Sequence, residues 1–327
     1  MARVVLRFDL RNRPGGPTPT DELYRSCLDQ CEWGDRVGVD MVAISEHHGA
    51  EDGFLPAPLT LAGAIAGRTK RVLIAIAALL APLNDPVRVA EQLVVLDLLS
   101  GGRVSVVLGA AYRPEEFEMY GADRSARGRL LEAFAEALLG AFGGEEFEWG
   151  GRRVRVTPQP LSKPHPSVLM GGSTPAAARR AARLRLGFFP AVNDPELGEA
   201  YLRHCKEAGF EGFLTMPLGP GFVHVSTDPE RDWGRLAPYV VHDATTYDSW
   251  QTPDVRSAVH VRSSSLDEIK ASGVYRVVTP EECLELAREL GAAGSIQLHP
   301  LLAGMPPEMG WESLELFASK VLPLLRG

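Results

Sequence analysis

The sequence predicts an α/β protein built as a single (β/α)8 barrel with insertions, and three observations carry that prediction. Short β-branched runs alternate with amphipathic helical stretches, the rhythm of parallel βαβ units. Eight strand candidates accompany seven or eight helices, and no Pro- or Ser-rich linker separates compositionally distinct halves. The glycine pairs do not form G-x-G-x-x-G after the first strand, so a doubly wound dinucleotide fold has no support.

Each element has its own reason. Residues 4–8 are the first strand, and the helix after them starts at Thr20-Asp21-Glu22. There a hydroxyl can cap the first turn and two acids suit the helix dipole. Residues 41–45 form the second strand, 59–69 a helix and 71–77 the third strand. Asp85-Pro86 opens the next helix with a cap residue and then proline, and Ser100-Gly101-Gly102 closes it with a glycine free to turn left-handed. Residues 104–109 are the fourth strand and 125–140 its helix. Between 142 and 160 two short extended runs flank Trp149-Gly150-Gly151-Arg152, an inserted hairpin. Residues 168–170 and 186–189 are the fifth and sixth strands, with helices from Ser173-Thr174-Pro175 and from Asp194. Residues 223–226 are the seventh strand; 229–272, too long for a simple connection, are expected as an insertion and possible lid. A helix over 280–290, the last strand at 295–299 and a helix over 311–325 complete the series, all within one domain spanning 1–327.

Composition narrows the function. Thirty-four Lys and Arg against 42 Asp and Glu leave a net charge of −8, which repels nucleic acid and anionic membrane surfaces. The four cysteines, Cys27, Cys31, Cys205 and Cys283, include no CxxC and read as small core residues in a reducing compartment. There is no Walker A sequence and no H-E-x-x-H, so neither a nucleotide loop nor a metal site is expected. The longest apolar stretch, 72–82, is about half of what a bilayer span needs. The start runs directly into a strand rather than a signal-peptide layout, so a cytoplasmic location is expected.

In such a barrel, chemistry gathers on the loops that leave the C-terminal ends of the strands. After the second strand come Glu46-His47-His48, a carboxylate beside two histidines that can serve as acid, base or hydrogen-bond donor, or else stand in a solvated loop. After the third come Ala77-Ala78-Leu79-Leu80, small and apolar, either room for a flat ligand or simple packing. After the fourth, Gly109-Ala110-Ala111-Tyr112-Arg113 leaves space and offers a phenol and a guanidinium. After the fifth, Gly171-Gly172-Ser173-Thr174-Pro175 leads into a helix, a ready phosphate cradle or an ordinary helix cap.

Together these segments resemble the bacterial luciferase-like monooxygenase family of flavin-dependent oxidoreductases. The resemblance runs from Glu46-His47-His48 through Asp85-Pro86-Val87-Arg88 and Leu99-Ser100-Gly101-Gly102-Arg103 to Tyr112-Arg113-Pro114-Glu115-Glu116-Phe117, and ends at Ser313-Leu314-Glu315-Leu316-Phe317. It implies a barrel that binds reduced flavin, FMN or the deazaflavin F420, often as a homodimer. It implies that His47 is catalytic, that a cis peptide lies at Ala77-Ala78, and that Gly172, Ser173 and Thr174 hold the phosphate. One departure is Ala110, where bacterial luciferase carries an arginine near the phosphate; here the charge falls to the backbone cradle or to Arg179.

The expected function is a two-component monooxygenase that uses reduced FMN from a separate flavin reductase, and oxygen, on a small organic substrate. F420-dependent hydride transfer and flavin binding without turnover are the alternatives. Expected cofactor contacts are Glu46, Ala77, Ala78, Ala110, Tyr112, Gly171, Gly172, Ser173 and Thr174; expected substrate contacts are Leu80, Arg113, Tyr247, Trp250 and His299.

Overall fold

A computed structural model describes residues 1–252 and 255–326. Pro253 and Asp254, inside the expected 229–272 insertion, and Gly327 lie outside the described residues. The chain divides into two compact units, one of residues 1–43, 50–55 and 217–327 and one of residues 44–49 and 56–216.

In the first unit the strands lie in the order Tyr275–Val278, Phe222–Val225, Ser295–Leu298, Arg3–Phe8, Met41–Ile44. Arg3 pairs with Ser295, Val223 with Leu298 and Tyr275 with Phe222, all in parallel. Parallel neighbours need a crossover, and the helix Pro229–Trp250 supplies the one between Phe222–Val225 and Tyr275–Val278. It turns Trp233, Leu236, Val240 and Ala244 at helical spacing onto Phe222, Tyr275 and Met305. Residues 229–250, the first half of the stretch expected as an insertion, are therefore a helix of 22 residues between two parallel strands. The strand Tyr275–Val278 was not anticipated, although Tyr275, Val277 and Val278 are strand-forming residues alternating around exposed Arg276; it follows directly on the stretch read as one insertion. Thr20 does not cap the helix Thr20–Val37, whose cap position is Pro19; the Thr20 hydroxyl accepts from Asn12 Nδ2 at 3.2 Å instead.

His224 is buried in this unit and its ring stacks on Phe222 at 12°. Burial holds its imidazole down at about 4, with Arg235 and Arg231 adding to the effect and Asp232 and Glu312 opposing it. An unfolded histidine binds its proton below about 6.5, so the unfolded chain takes up a proton that the folded one refuses. Stability from this residue is therefore complete above that value and falls by about 3 kcal/mol as the pH drops to 4. Denaturant unfolding across this range should show that slope, and His224→Gln should flatten it; an unchanged slope would contradict the assignment.

In the second unit Leu73–Leu80, Val104–Gly109, Ser167–Gly172 and Gly187–Pro190 pair in parallel in that order. Asp85 caps the helix Pro86–Ser100 by accepting from the N–H groups of Val87 and Arg88 at 3.0 and 2.9 Å, and Gly101 ends it in the left-handed region. Thr174 and Asp194 cap Pro175–Arg183 and Pro195–Glu207 in the same way. Phe147–Trp149 and Arg152–Val154 pair antiparallel as a hairpin. The third strand runs on to Leu80, so the small residues expected in a loop are ladder residues, with a register shift between Ala77 and Leu79. The Ala77–Ala78 peptide is cis. Gly109 on the adjacent strand is needed there, because a Cβ would lie 2.9 Å from the Ala78 Cβ. All four cysteines are free and buried. Among the described residues no helix is long and apolar enough to cross a membrane, and no group of three or more His, Cys, Asp or Glu is placed to hold a metal ion.

Candidate active site

The second unit gathers Glu46, His47 and His48 from the segment after Met41–Ile44, Leu80 and Asn84 from the end of the third strand, and Tyr112, Arg113, Glu116 and Tyr120 from the segment after the fourth. Glu46, His47, His48, Arg113 and Glu116 are all buried. Polar side chains at that depth need partners, and here they supply one another.

His47 Nδ1 lies 2.8 Å from Glu116 Oε1, and Nε2 lies 3.4 Å from the Tyr112 hydroxyl. The two rings meet edge to face at 5.4 Å. The backbone N–H of His48 donates to the same Glu116 oxygen at 2.9 Å. Burial alone would raise the Glu116 carboxyl, but His47, the His48 N–H and Arg113 outweigh it and hold the group below its ordinary range. It is an anion at neutral pH.

His48 faces the other way. Its Nε2 lies 3.0 Å from Glu46 Oε1 and its Nδ1 lies 3.0 Å from the hydroxyl of Tyr120. Burial, with the charges of Glu46 and Glu116, raises the Tyr120 phenol, which stays protonated and donates to the ring. Glu46 also accepts from the Leu80 N–H at 2.5 Å and from Asn84 Nδ2 at 3.2 Å.

Several expected contacts change role on this geometry. Both Glu46 oxygens are used by the chain itself, so its carboxylate fixes Leu80 and His48 rather than reaching for a ligand. Leu80 is buried with Leu83, Ala111 and Phe117. Arg113 is also turned inward, where it donates to the His48 carbonyl at 2.9 Å. Tyr112 and Ala110 are partly exposed, as are Ala77, Ala78 and Gly109, and Gly109 lies directly against Ala78, so small residues line this stretch.

Tyr247, Trp250 and His299 belong to the first unit. Tyr247 and Trp250 flank the Arg11 guanidinium at 4.9 and 5.2 Å, with Phe54 at 5.7 Å, so these rings pack around a buried cation. His299, buried, places Nε2 3.5 Å from Asp9 Oδ1.

The fit of a flavin mononucleotide can be tested on the fifth strand. Gly171 and Gly172 end it, and a Cβ on Gly172 would lie 2.4 Å from the Ala177 Cβ at a φ of 147°, so only glycine fits this turn. Ser173 and Thr174 follow with solvent-accessible side chains, and the N-terminus of Pro175–Arg183 opens behind them. Backbone N–H groups, two hydroxyls and a helix N-terminus are the donor set a phosphate monoester needs, and the stretch of small residues suits a flat ring. The residues fit the group. Arg179 is exposed on the same helix.

Glu116, Asn84 and Tyr120 were missed in the sequence, as was the network of Asp9, Arg11, Asp52 and Asp243. Glu116 stands one turn after Arg113 and looks like an ordinary first-turn acid; Asp9 and Arg11 directly follow the first strand, a position that could have marked them.

The family model of the luciferase-like monooxygenases matches residues 4–297. Among curated relatives, uncharacterized protein y4wF of Sinorhizobium fredii is 32% identical over 165 residues, 49% of this chain and 48% of that protein, so that alignment spans about half of its length. A 4-hydroxyprotoasukamycin monooxygenase of Streptomyces nodosus subsp. asukaensis is 25% identical over 96% of this chain and 90% of its own. An FMNH(2)-dependent dimethylsulfone monooxygenase of Pseudomonas putida is 30% identical over 53% of this chain and 50% of its own. Among solved structures, monooxygenase RslO1 from Streptomyces bottropensis superposes with a TM-score of 0.81 at 24% identity, covering 99% of this chain and 100% of that one. The oxygenating constituent of 3,6-diketocamphane monooxygenase from Pseudomonas putida, in complex with FMN, gives 0.73 at 19% identity over 99% of both chains. An F420-dependent secondary alcohol dehydrogenase gives 0.72 at 16% identity, over 100% of this chain and 99% of that one. The structural likenesses show the α/β fold of these barrel enzymes, and the match over 4–297 shows that the chain belongs to the luciferase-like monooxygenase family.

Proposed function

We propose that the chain is the oxygenase of a two-component system, taking reduced FMN from a separate flavin reductase and using oxygen on a small organic substrate. The observation that carries this reading is the buried His47 with one ring nitrogen on an ionised Glu116 and the other facing Tyr112, in the unit that also holds the glycine turn. When bound, reduced FMN supplies the two electrons that activate oxygen for transfer. Gly171, Gly172, Ser173 and Thr174 would hold its phosphate; Ala77, Ala78, Gly109 and Ala110 would lie beside its ring. His47 moves a proton at Nε2, and burial around it limits competing water. A homodimer, expected from the resemblance, and a cytoplasmic location, expected from the sequence, belong to the same proposal.

The F420 reading is supported by the likeness to the F420-dependent alcohol dehydrogenase. The test is product formation with an added flavin reductase, FMN and oxygen, on a panel that starts from dimethylsulfone and diketocamphane. Oxygenated product that requires all three supports the proposal. Turnover with F420 in place of FMN would favour hydride transfer, and flavin binding with no turnover would leave a carrier.

A further inference from the structure

The contacts of Glu116 determine which nitrogen of His47 bears the proton. Three donors converge on one carboxylate oxygen, Oε1: His47 Nδ1 at 2.8 Å, the His48 N–H at 2.9 Å and Arg113 Nη1 at 3.5 Å. An ionised carboxylate only accepts, so the ring nitrogen that faces it must donate. The lone pair of the neutral imidazole is then on Nε2, on the side of the Tyr112 hydroxyl. His48 cannot exchange places with His47, because its own ring is held between Glu46 and Tyr120. The Glu116 side chain has no exposed surface, and its Oε2 has no hydrogen-bond partner among the described residues. A buried anion in that state stabilises a positive charge placed against it far more than a solvated one would.

We infer that Glu116 is the positioning residue of the site: it holds His47 as the Nδ1–H tautomer with Nε2 open towards Tyr112, and it steadies the imidazolium formed when Nε2 takes up a proton. The inference rests on the reading of His47 as the proton-handling group. The charged and titratable groups that face the pair include Arg113 and His48 at Glu116 and Tyr112 at His47, with Glu46 and Tyr120 holding the His48 ring.

Two variants separate the parts of this role. Glu116→Gln can keep an amide oxygen where the His48 N–H and Arg113 require an acceptor, so it removes the charge and preserves the tautomer. Glu116→Met has similar length and removes the acceptor. Nitrogen NMR of the ligand-free protein should show His47 as Nδ1–H in the unmodified chain and in Glu116→Gln, and as Nε2–H in Glu116→Met. In the reductase-coupled assay Glu116→Gln should lower kcat by roughly 10- to 100-fold with KM little changed, the scale of losing the partner that orients a metal-bound histidine. An Nε2–H tautomer in the unmodified protein, or kcat unchanged in Glu116→Gln, overturns the inference; so does Nδ1–H persisting in Glu116→Met. Should Glu116→Met fail to fold, the unmodified tautomer and the Glu116→Gln kcat still decide. The tautomer is read without flavin, so a protein that bound no FMN would lose the proposed function and leave this result standing.

Discussion

His47→Gln is expected to lower turnover in the reductase-coupled assay by about 10²–10⁴-fold, the usual contribution of a positioned acid or base. Glutamine is close to imidazole in size and polarity, but it cannot take up and return a proton. The loss should fall on kcat, while affinity for reduced FMN stays within a few-fold, because no part of the phosphate turn is touched. Equal loss of flavin binding would mean that His47 holds the cofactor rather than serving the reaction. An active variant would remove it from the chemistry altogether.

Arg11→Met is expected to destabilise the protein by about 3–5 kcal/mol, the cost of leaving buried carboxylates without their cation. Arg11 has no exposed side-chain surface and bonds Asp52 at 2.7 Å and Asp243 at 2.5 Å, while the Tyr275 hydroxyl donates to the other Asp243 oxygen at 2.5 Å. Removing it also strips the cation from between Phe54, Tyr247 and Trp250. Burial tends to raise the Asp52 carboxyl, yet the His242 hydrogen bond and Arg11 hold it below its ordinary range. A carboxylate depressed in this way stabilises the fold above its unfolded value and loses that contribution as pH falls through the folded one. The deficit of the variant should therefore narrow in acid. Denaturant midpoints measure both effects, and a deficit under about 1 kcal/mol would show that the pairs barely offset their own desolvation.

Much of the fold was legible because its signals are local. Asp85-Pro86 and Gly101 mark both ends of one helix, and the cap geometry agrees at each. Thr174 likewise announces the helix that follows the glycine turn. The strand Tyr275–Val278 has β-branched and aromatic residues, but its place beside Phe222–Val225 depends on a pairing far away in sequence, and it follows directly on the stretch read as one insertion. At the site, Glu46-His47-His48 stood out as adjacent polar residues after a strand. Glu116 did not, because its importance comes from His47, 69 positions earlier. Tyr247 and Trp250 were expected as substrate contacts; the structure sets both rings against Arg11, to which nothing near them in sequence points.

Oxygen-free titration of the protein with reduced FMN, followed by fluorescence and absorbance and set beside oxidised FMN and F420, tests the central claim most directly. Saturable binding of reduced FMN in the micromolar range or tighter, stronger than that of F420 and weakened in Gly172→Ala, is the predicted result. Preference for F420, or no binding of FMN in either redox state, would contradict it.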